Sequence, residues 1–331
     1  MAKSIRWGIL GCGRIARKFA ADLVHVPDAE LVAAGSRNKS DAEAFAREFP
    51  VRFVHGSYGE LAANPAVDVI YVASPHGLHY DHVLLCLEGG KAVLCEKAFA
   101  INSRQAEEMI RKASGSKIFL MEALWTKFLP HYQMLMDWIS SGRLGVIRSV
   151  LANFGFIPPQ PAPARLLDPA LGGGTILDIG IYNVFFALSV LGRPEGIEAH
   201  MTPAATGVDE QCAVLFTYPD GEQAQLFSSF SSNLATEADI SGNSGRVRLT
   251  SRFYEPSTSF EFYPGRPETR QVIPYDREPG FGYQYEARHV GECLRMGLTE
   301  SPVMRHADTL LLMETLDRIR RQAGIRYAAD D

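Results

Sequence analysis

Cysteine is scarce in this chain: five residues, at 12, 86, 95, 212 and 293, an odd number with no close pair. That excludes a disulfide framework or a zinc cluster and leaves small buried thiols. Charge of one sign is not concentrated either. The net charge is -5, the pI is about 6.0, and lysine and arginine are dispersed, so no basic tract attracts a nucleic acid. No apolar run approaches membrane-spanning length, and Met1-Ala2-Lys3-Ser4 leads directly into the first strand-like run without a targeting segment. The expectation is a cytoplasmic protein with neither membrane nor nucleic-acid partner. Internal repeats and low-complexity segments are lacking, and no His/Asp/Glu constellation demands a metal. What remains is an ordinary globular composition, 46% hydrophobic and 21% charged, over 331 residues, a length that suits two domains.

The first apolar run, Ile5 to Leu10, passes straight into Gly11-Cys12-Gly13-Arg14-Ile15-Ala16. In a dinucleotide-binding unit the first glycine allows the tight turn and the second lets the backbone approach a pyrophosphate. A small third residue then lets helix and strand pack closely. The following helix begins at Arg14, with Ile15, Phe19 and Leu23 on one face, and its amino-terminal N–H groups receive negative charge. The second strand, Leu31 to Ser36, ends in Ser36-Arg37 where an acid would bind a ribose 2′-hydroxyl. An arginine there suits the 2′-phosphate of NADP, with NAD as the alternative cofactor.

Alternation continues. Ser40-Asp41-Ala42-Glu43 and Ser57-Tyr58-Gly59-Glu60 read as helix starts, the first as a capping box. Further strands are expected at 68–73, 91–95 and 117–122, and further helices through 83–87 and 103–113, giving a doubly wound parallel sheet. Beyond Ile147 strand-like runs follow one another at 147–156, 196–202, 211–218, 223–230, 236–241, 246–250, 258–263 and 269–274. They predict a mostly antiparallel sheet with one open face, interrupted by a long helix at about 173–191 and closed by helices at about 285–296 and 306–322. The fold class is α/β plus α+β: a Rossmann domain over 1–124 and a substrate-binding, dimerising domain over 125–331, whose last helix can pack back on the first.

Chemistry is expected where strands end. Glu96-Lys97 closes the fourth expected strand, where a lysine can stabilise developing alkoxide charge. Asp178 and Tyr182, four apart after Gly172-Gly173-Gly174, share a helical face. Tyrosine titrates near 10, and a neighbouring ammonium favours its phenolate. Ser74, His76 and His79 follow the third expected strand. Trp125 and Phe154 can wall an apolar ring, and Arg165 can anchor an oxygen.

Taken together, these motifs resemble those of the glucose-fructose oxidoreductase and inositol dehydrogenase family of NAD(P)-dependent oxidoreductases over essentially the whole length. The tyrosine at 182, Met121-Glu122-Ala123-Leu124-Trp125 and Leu167-Asp168-Pro169-Ala170-Leu171 look most like its branch of dihydrodiol and NADP-dependent xylose dehydrogenases. The chain departs from the family's Glu-Lys-Pro in having Ala98. The resemblance implies that Tyr182 is the general acid/base, that Lys97 assists and orients, and that Asp178 belongs to the same catalytic group. The dinucleotide is expected on Gly11, Gly13, Arg14, Ile15, Ser36, Arg37, Ser74, His76, His79 and Glu96. Hydride transfer between nicotinamide and a secondary alcohol of a sugar or vicinal cyclic diol follows, in a homodimer or dimer of dimers. The rivals are a hydrolase of related fold that retains NAD and a non-catalytic NAD(P) sensor.

Overall fold

The structure, a computed structural model, describes residues 4–265 and 269–331. The start read at Met1-Ala2-Lys3 lies outside the described residues. In chain order the first elements are β1 (Ile5–Leu10), α1 (Arg14–Leu23), β2 (Ala29–Gly35), α2 (Lys39–Glu48), β3 (Phe53–His55), α3 (Tyr58–Ala63) and β4 (Val69–Val72). There follow α4 (His79–Glu88), β5 (Ala92–Glu96), α5 (Ser103–Ser116), β6 (Leu120–Ala123), α6 (Pro130–Ser140), β7 (Ile147–Gly155) and α7 (Ala164–Leu167). The remainder are α8 (Ile181–Leu191), β8 (Gly196–Pro203), β9 (Asp209–Thr217), β10 (Gln223–Ser229), β11 (Ala238–Gly242), β12 (Arg246–Thr250), β13 (Ser259–Tyr263), β14 (Gln271–Ile273), α9 (Tyr283–Arg295) and α10 (His306–Ala323).

Two compact units result: Met1–Phe128 with Glu278–Leu310, and Leu129–Arg277 with Leu311–Asp331. In the first, six parallel strands run β3-β2-β1-β4-β5-β6, the doubly wound order whose direction reverses between β1 and β4. β4 and β5 are buried throughout, as strands covered on both faces must be. α9 returns to this unit and packs on α1. Its amino-terminal N–H groups are met by one buried carboxylate: Asp22 accepts from Phe281, Gly282 and Tyr283 at 2.8–2.9 Å.

The second unit is built on eight strands in the order β14-β13-β12-β11-β7-β10-β9-β8, antiparallel except for the β7/β10 pair. α8 covers β7 and β10 on one face. The alternation of side chains along β7 puts Val150 and Ala152 under that helix and leaves Leu151 46% exposed on the other face. Leu151 pairs in register with Gln225, which pairs with Leu215, so the uncovered face is mixed, with two leucines flanking a glutamine.

Several sequence expectations need correction. Ser40 does not cap α2: the cap is Asn38, whose side chain accepts from no helix N–H, because the helix begins two residues earlier than the motif implied. Ser57 does cap α3, its hydroxyl accepting from Glu60 N at 3.2 Å, a bond worth about 1 kcal/mol. The long helix is not uniform. Gly172 and Gly174 have φ of +75° and +118°, and Ile176–Gly180 is a π-turn that hands over to α8. The stretch Pro169–Leu191 is long and apolar enough to cross a membrane by length and composition, contrary to the reading above. However, 83% of its most apolar window is buried within the protein, where it is the core helix under the sheet.

Candidate active site

The dinucleotide candidates lie at the carboxyl ends of the parallel strands. After β1 the chain turns at Gly11, with φ +93° and its N–H bonded to Gly35 O at 3.0 Å. A Cβ there would stand 3.1 Å from Ala73 O and 3.2 Å from Ser74 N, so glycine is required both by the turn and by the loop after β4. Gly13 is the N-cap of α1 and offers no side-chain partner to the helix, and a Cβ on it would meet nothing within 4 Å. The N-cap side chain thus satisfies none of the first-turn N–H groups, those of Arg14 and Ile15 among them, which is the arrangement a pyrophosphate needs. Ala16, the small third residue, is fully buried. This cradle fits a dinucleotide.

At the end of β2, Ser36 is buried and Arg37 exposed, the latter near enough to the Tyr58 phenol for its charge to favour the phenolate. No acid occupies the strand end. After β4, the Ser74 carbonyl meets His79 Nε2 at 2.7 Å, while His79 Nδ1 meets Ala98 O at 2.8 Å. His79 is fully buried, and burial lowers its pKa to about 4, so its neutral ring carries one N–H between two carbonyls. It clamps the loop after β4 to the segment after β5 instead of presenting a nitrogen to a ligand. His76 is buried beside it, ring centroids 5.7 Å apart.

Glu96, the last residue of β5, is also an internal group. The Tyr71 hydroxyl donates to one of its oxygens, and Lys97 N donates to the other at 3.2 Å. Lys97 follows it, half-buried, and the Lys97–Ala98 peptide bond is cis. Behind this strand end lie two acids that the sequence reading did not connect with the site. Burial pushes the Glu122 carboxyl up to about 7, although the Thr309 hydroxyl and Phe99 N–H pull it down. Glu286 on α9 is fully buried with no partner for either oxygen among the described residues, and burial, with Glu96 and Asp22 near, raises it well above the usual carboxyl range. Trp125, buried after β6, stacks on Tyr283 of α9 with centroids 4.4 Å apart and planes 6° from parallel.

In the second unit Tyr182 opens α8. Its ring stacks on Tyr254 at 4.5 Å and lies 6.1 Å from Phe154, which itself stacks on Tyr254 at 4.6 Å. Three rings thus form one wall. Asp178, in the π-turn, accepts from Arg165 Nη1 at 3.0 Å, so the structure joins two residues 13 apart in sequence. The turn is anchored from β9: Asp209 accepts from Thr175 Oγ1 at 2.6 Å and from Ile176 N at 2.7 Å, and burial raises its carboxyl to about 6. A Cβ on Gly174 would fall 2.3 Å from Asp209 Oδ1, which explains a glycine just before the turn. Tyr254 and Asp209 carried no local signal, since both act on residues far away in sequence.

Comparison with known proteins agrees with this geometry. Residues 5–123 match the model of the oxidoreductase family with NAD-binding Rossmann fold, and residues 132–248 match the GFO/IDH/MocA C-terminal domain. The chain is 39% identical to trans-1,2-dihydrobenzene-1,2-diol dehydrogenase of Mus musculus over 99% of both chains, and 36% identical to that of Homo sapiens with the same coverage. Among solved structures, KijD10, a 3-ketoreductase from Actinomadura kijaniata in complex with NADP and TDP-benzene, superposes with a TM-score of 0.86 at 26% identity, over 98% of this chain and 99% of that one. The aldose-aldose oxidoreductase of Caulobacter crescentus, at 24% identity and a TM-score of 0.88 over 97% and 98% of the two chains, shares the fold. The chain is an NAD(P)-dependent dehydrogenase or reductase and belongs to the GFO/IDH/MocA oxidoreductase family.

Proposed function

We propose that the protein transfers hydride between NADP and a secondary alcohol of a vicinal cyclic diol, with an aldose as a second class of substrate, in either direction. The observation that carries the reading is the Tyr182 phenol, a proton-bearing group set in a wall of stacked rings against which an apolar ring can lie. Full-length relatives named as dihydrodiol dehydrogenases support the choice of diol.

In oxidation the Tyr182 hydroxyl oxygen takes the substrate's hydroxyl proton, and in reduction it returns one. Lys97, at the end of β5, supplies an ammonium that opposes developing negative charge. Asp178, held by Arg165, orients the start of α8, and Arg165 keeps donors for a further substrate oxygen. Trp125 and Phe154 supply apolar wall. Gly11, Gly13 and the N–H groups of Arg14 and Ile15 hold the pyrophosphate, Ser36 and Arg37 the 2′-phosphate, and Ser74 and His76 the loop beside it. His79 and Glu96 position the lysine from within. The nicotinamide, when bound, supplies or accepts the hydride.

Assembly as a homodimer, or a dimer of dimers, through the face carrying Leu151, Leu215 and Phe227 would cover these apolar side chains. Five free cysteines suit the reducing cytoplasm. The test is a panel of trans-dihydrodiols and aldoses with NADP, following the absorbance of reduced cofactor. Net reduction with a cyclic diol supports the reading. Cofactor retained through turnover without net absorbance change, or no turnover of any alcohol, refutes it. A monomer at micromolar concentration by sedimentation refutes the assembly.

A further inference from the structure

Around the end of β2 gathers a set of side chains that hydride transfer does not use. Arg37 stands near the Tyr58 hydroxyl at the start of α3, where its charge favours the phenolate. The Tyr58 ring meets the imidazole of His82, on α4, edge-on with centroids 4.5 Å apart. His82 Nδ1 lies 2.8 Å from the Ser74 hydroxyl in the loop after β4. These contacts tie together the loops after β2 and after β4. His82 is half-buried, and its Nε2 has no hydrogen-bond partner among the described residues.

We propose that His82 is a further specificity-determining residue for NADP: as an imidazolium it donates from Nε2 to the 2′-phosphate beside Ser36 and Arg37, so preference for NADP over NAD strengthens as pH falls. This rests on the NADP reading of the β2 end.

The charges around His82 set the direction. In the free protein burial lowers its pKa, Arg37 at the end of β2 lowers it further, and Asp81 on the same helix opposes both. His79, also on α4, is neutral, and Tyr58 faces the ring from α3, with Cys12 and Asp41 beyond it. The free imidazole is thus neutral at pH 7. A 2′-phosphate brings about two negative charges, offsets Arg37 and favours protonation, so the protein takes up a proton together with NADP. NAD brings a hydroxyl there and no such charge. Both ring nitrogens then donate, Nδ1 to Ser74 and Nε2 outward. The phosphate's own second ionisation, near about 6, runs the other way but is common to every variant.

The experiment measures dissociation constants for NADP and NAD between about pH 6 and pH 8, the range over which an imidazole changes charge, in wild type, His82→Gln, His82→Lys and Arg37→Ala. The NADP preference of wild type relative to His82→Gln is expected to fall by about tenfold from the low to the high end, the worth of one charge-assisted hydrogen bond. His82→Lys should hold a high preference throughout. Calorimetry in two buffers should show more proton uptake with NADP in wild type than in His82→Gln. Superimposable curves for wild type and His82→Gln overturn the inference while leaving the NADP site standing if Arg37→Ala still loses the preference. Equal weakening of NAD and NADP in His82→Gln also overturns it, since that marks an adenine contact. A wild type without NADP preference at any pH overturns both.

Discussion

Replacing Tyr182 with phenylalanine isolates one hydroxyl. The ring contacts with Tyr254 at 4.5 Å and Phe154 at 6.1 Å belong to the phenyl group and survive the change, so folding stability should move by less than about 1 kcal/mol. NADP binding should be unaffected, because the cofactor residues named above belong to the other unit. What disappears is the proton carrier, and a positioned acid/base contributes roughly 100-fold to 10,000-fold. At about 1.4 kcal/mol per tenfold, kcat should fall by the equivalent of about 3 to 5 kcal/mol on the barrier. The assay is steady-state turnover of any accepted diol or sugar, with a primary deuterium effect to establish that hydride transfer limits the rate, and a thermal melt beside it. Near-normal kcat under those conditions would mean that Tyr182 is only a wall residue. A large drop in melting temperature would mean that the hydroxyl is structural.

Arg37→Asp should reverse cofactor choice, since a carboxylate repels a 2′-phosphate and bonds a ribose hydroxyl; kcat/KM for the two cofactors checks it, and unchanged preference refutes it. Glu122 carries a pKa raised from 4.5 to about 7, so its contribution to stability is full below pH 4.5 and is lost as pH rises through 7, by about 3 kcal/mol once ionised. Glu122→Gln should flatten this dependence in urea melts, and an equally steep decline in the variant would place its cause elsewhere. Gly174→Ala combines φ +118° with a Cβ 2.3 Å from Asp209 Oδ1 and should cost more than about 2 kcal/mol while slowing turnover, because the strained turn precedes Asp178 and Tyr182. An unchanged urea midpoint would contradict this.

Legibility followed the range of the forces involved. The unit from Ile5 to Arg37 could be read because its turn chemistry, helical face and apolar runs are local. The strands after Ile147 were readable because one face of their sheet is buried under α8, which imposes alternation. β3 escaped because its three residues are all half-buried and show no alternation. α6 escaped although Pro130 at its first position was a usable signal. Sequence spacing treated Asp178 and Tyr182 as neighbours on a plain α-helix, whereas the π-turn at Ile176–Gly180 arises from anchoring by Asp209, 33 residues from Ile176. His79 and Glu96 were assigned to the cofactor on position alone. Their enclosure depends on Ala98 and Tyr71, which no local pattern links to them.

The return of α9 to the first unit has a consequence for synthesis. All six parallel strands have been made once Ala123 leaves the ribosome, but α1 still lacks its cover. Phe19, stacked on Tyr71 at 3.9 Å, and Trp125 await Tyr283, and Asp22 holds a buried negative charge whose N–H partners are Phe281, Gly282 and Tyr283. A nascent chain halted near residue 130 therefore carries a complete sheet with an open apolar flank and an unpaired carboxylate. About 160 further residues must be added before α9 can close that flank, so the first unit completes its packing only late in synthesis.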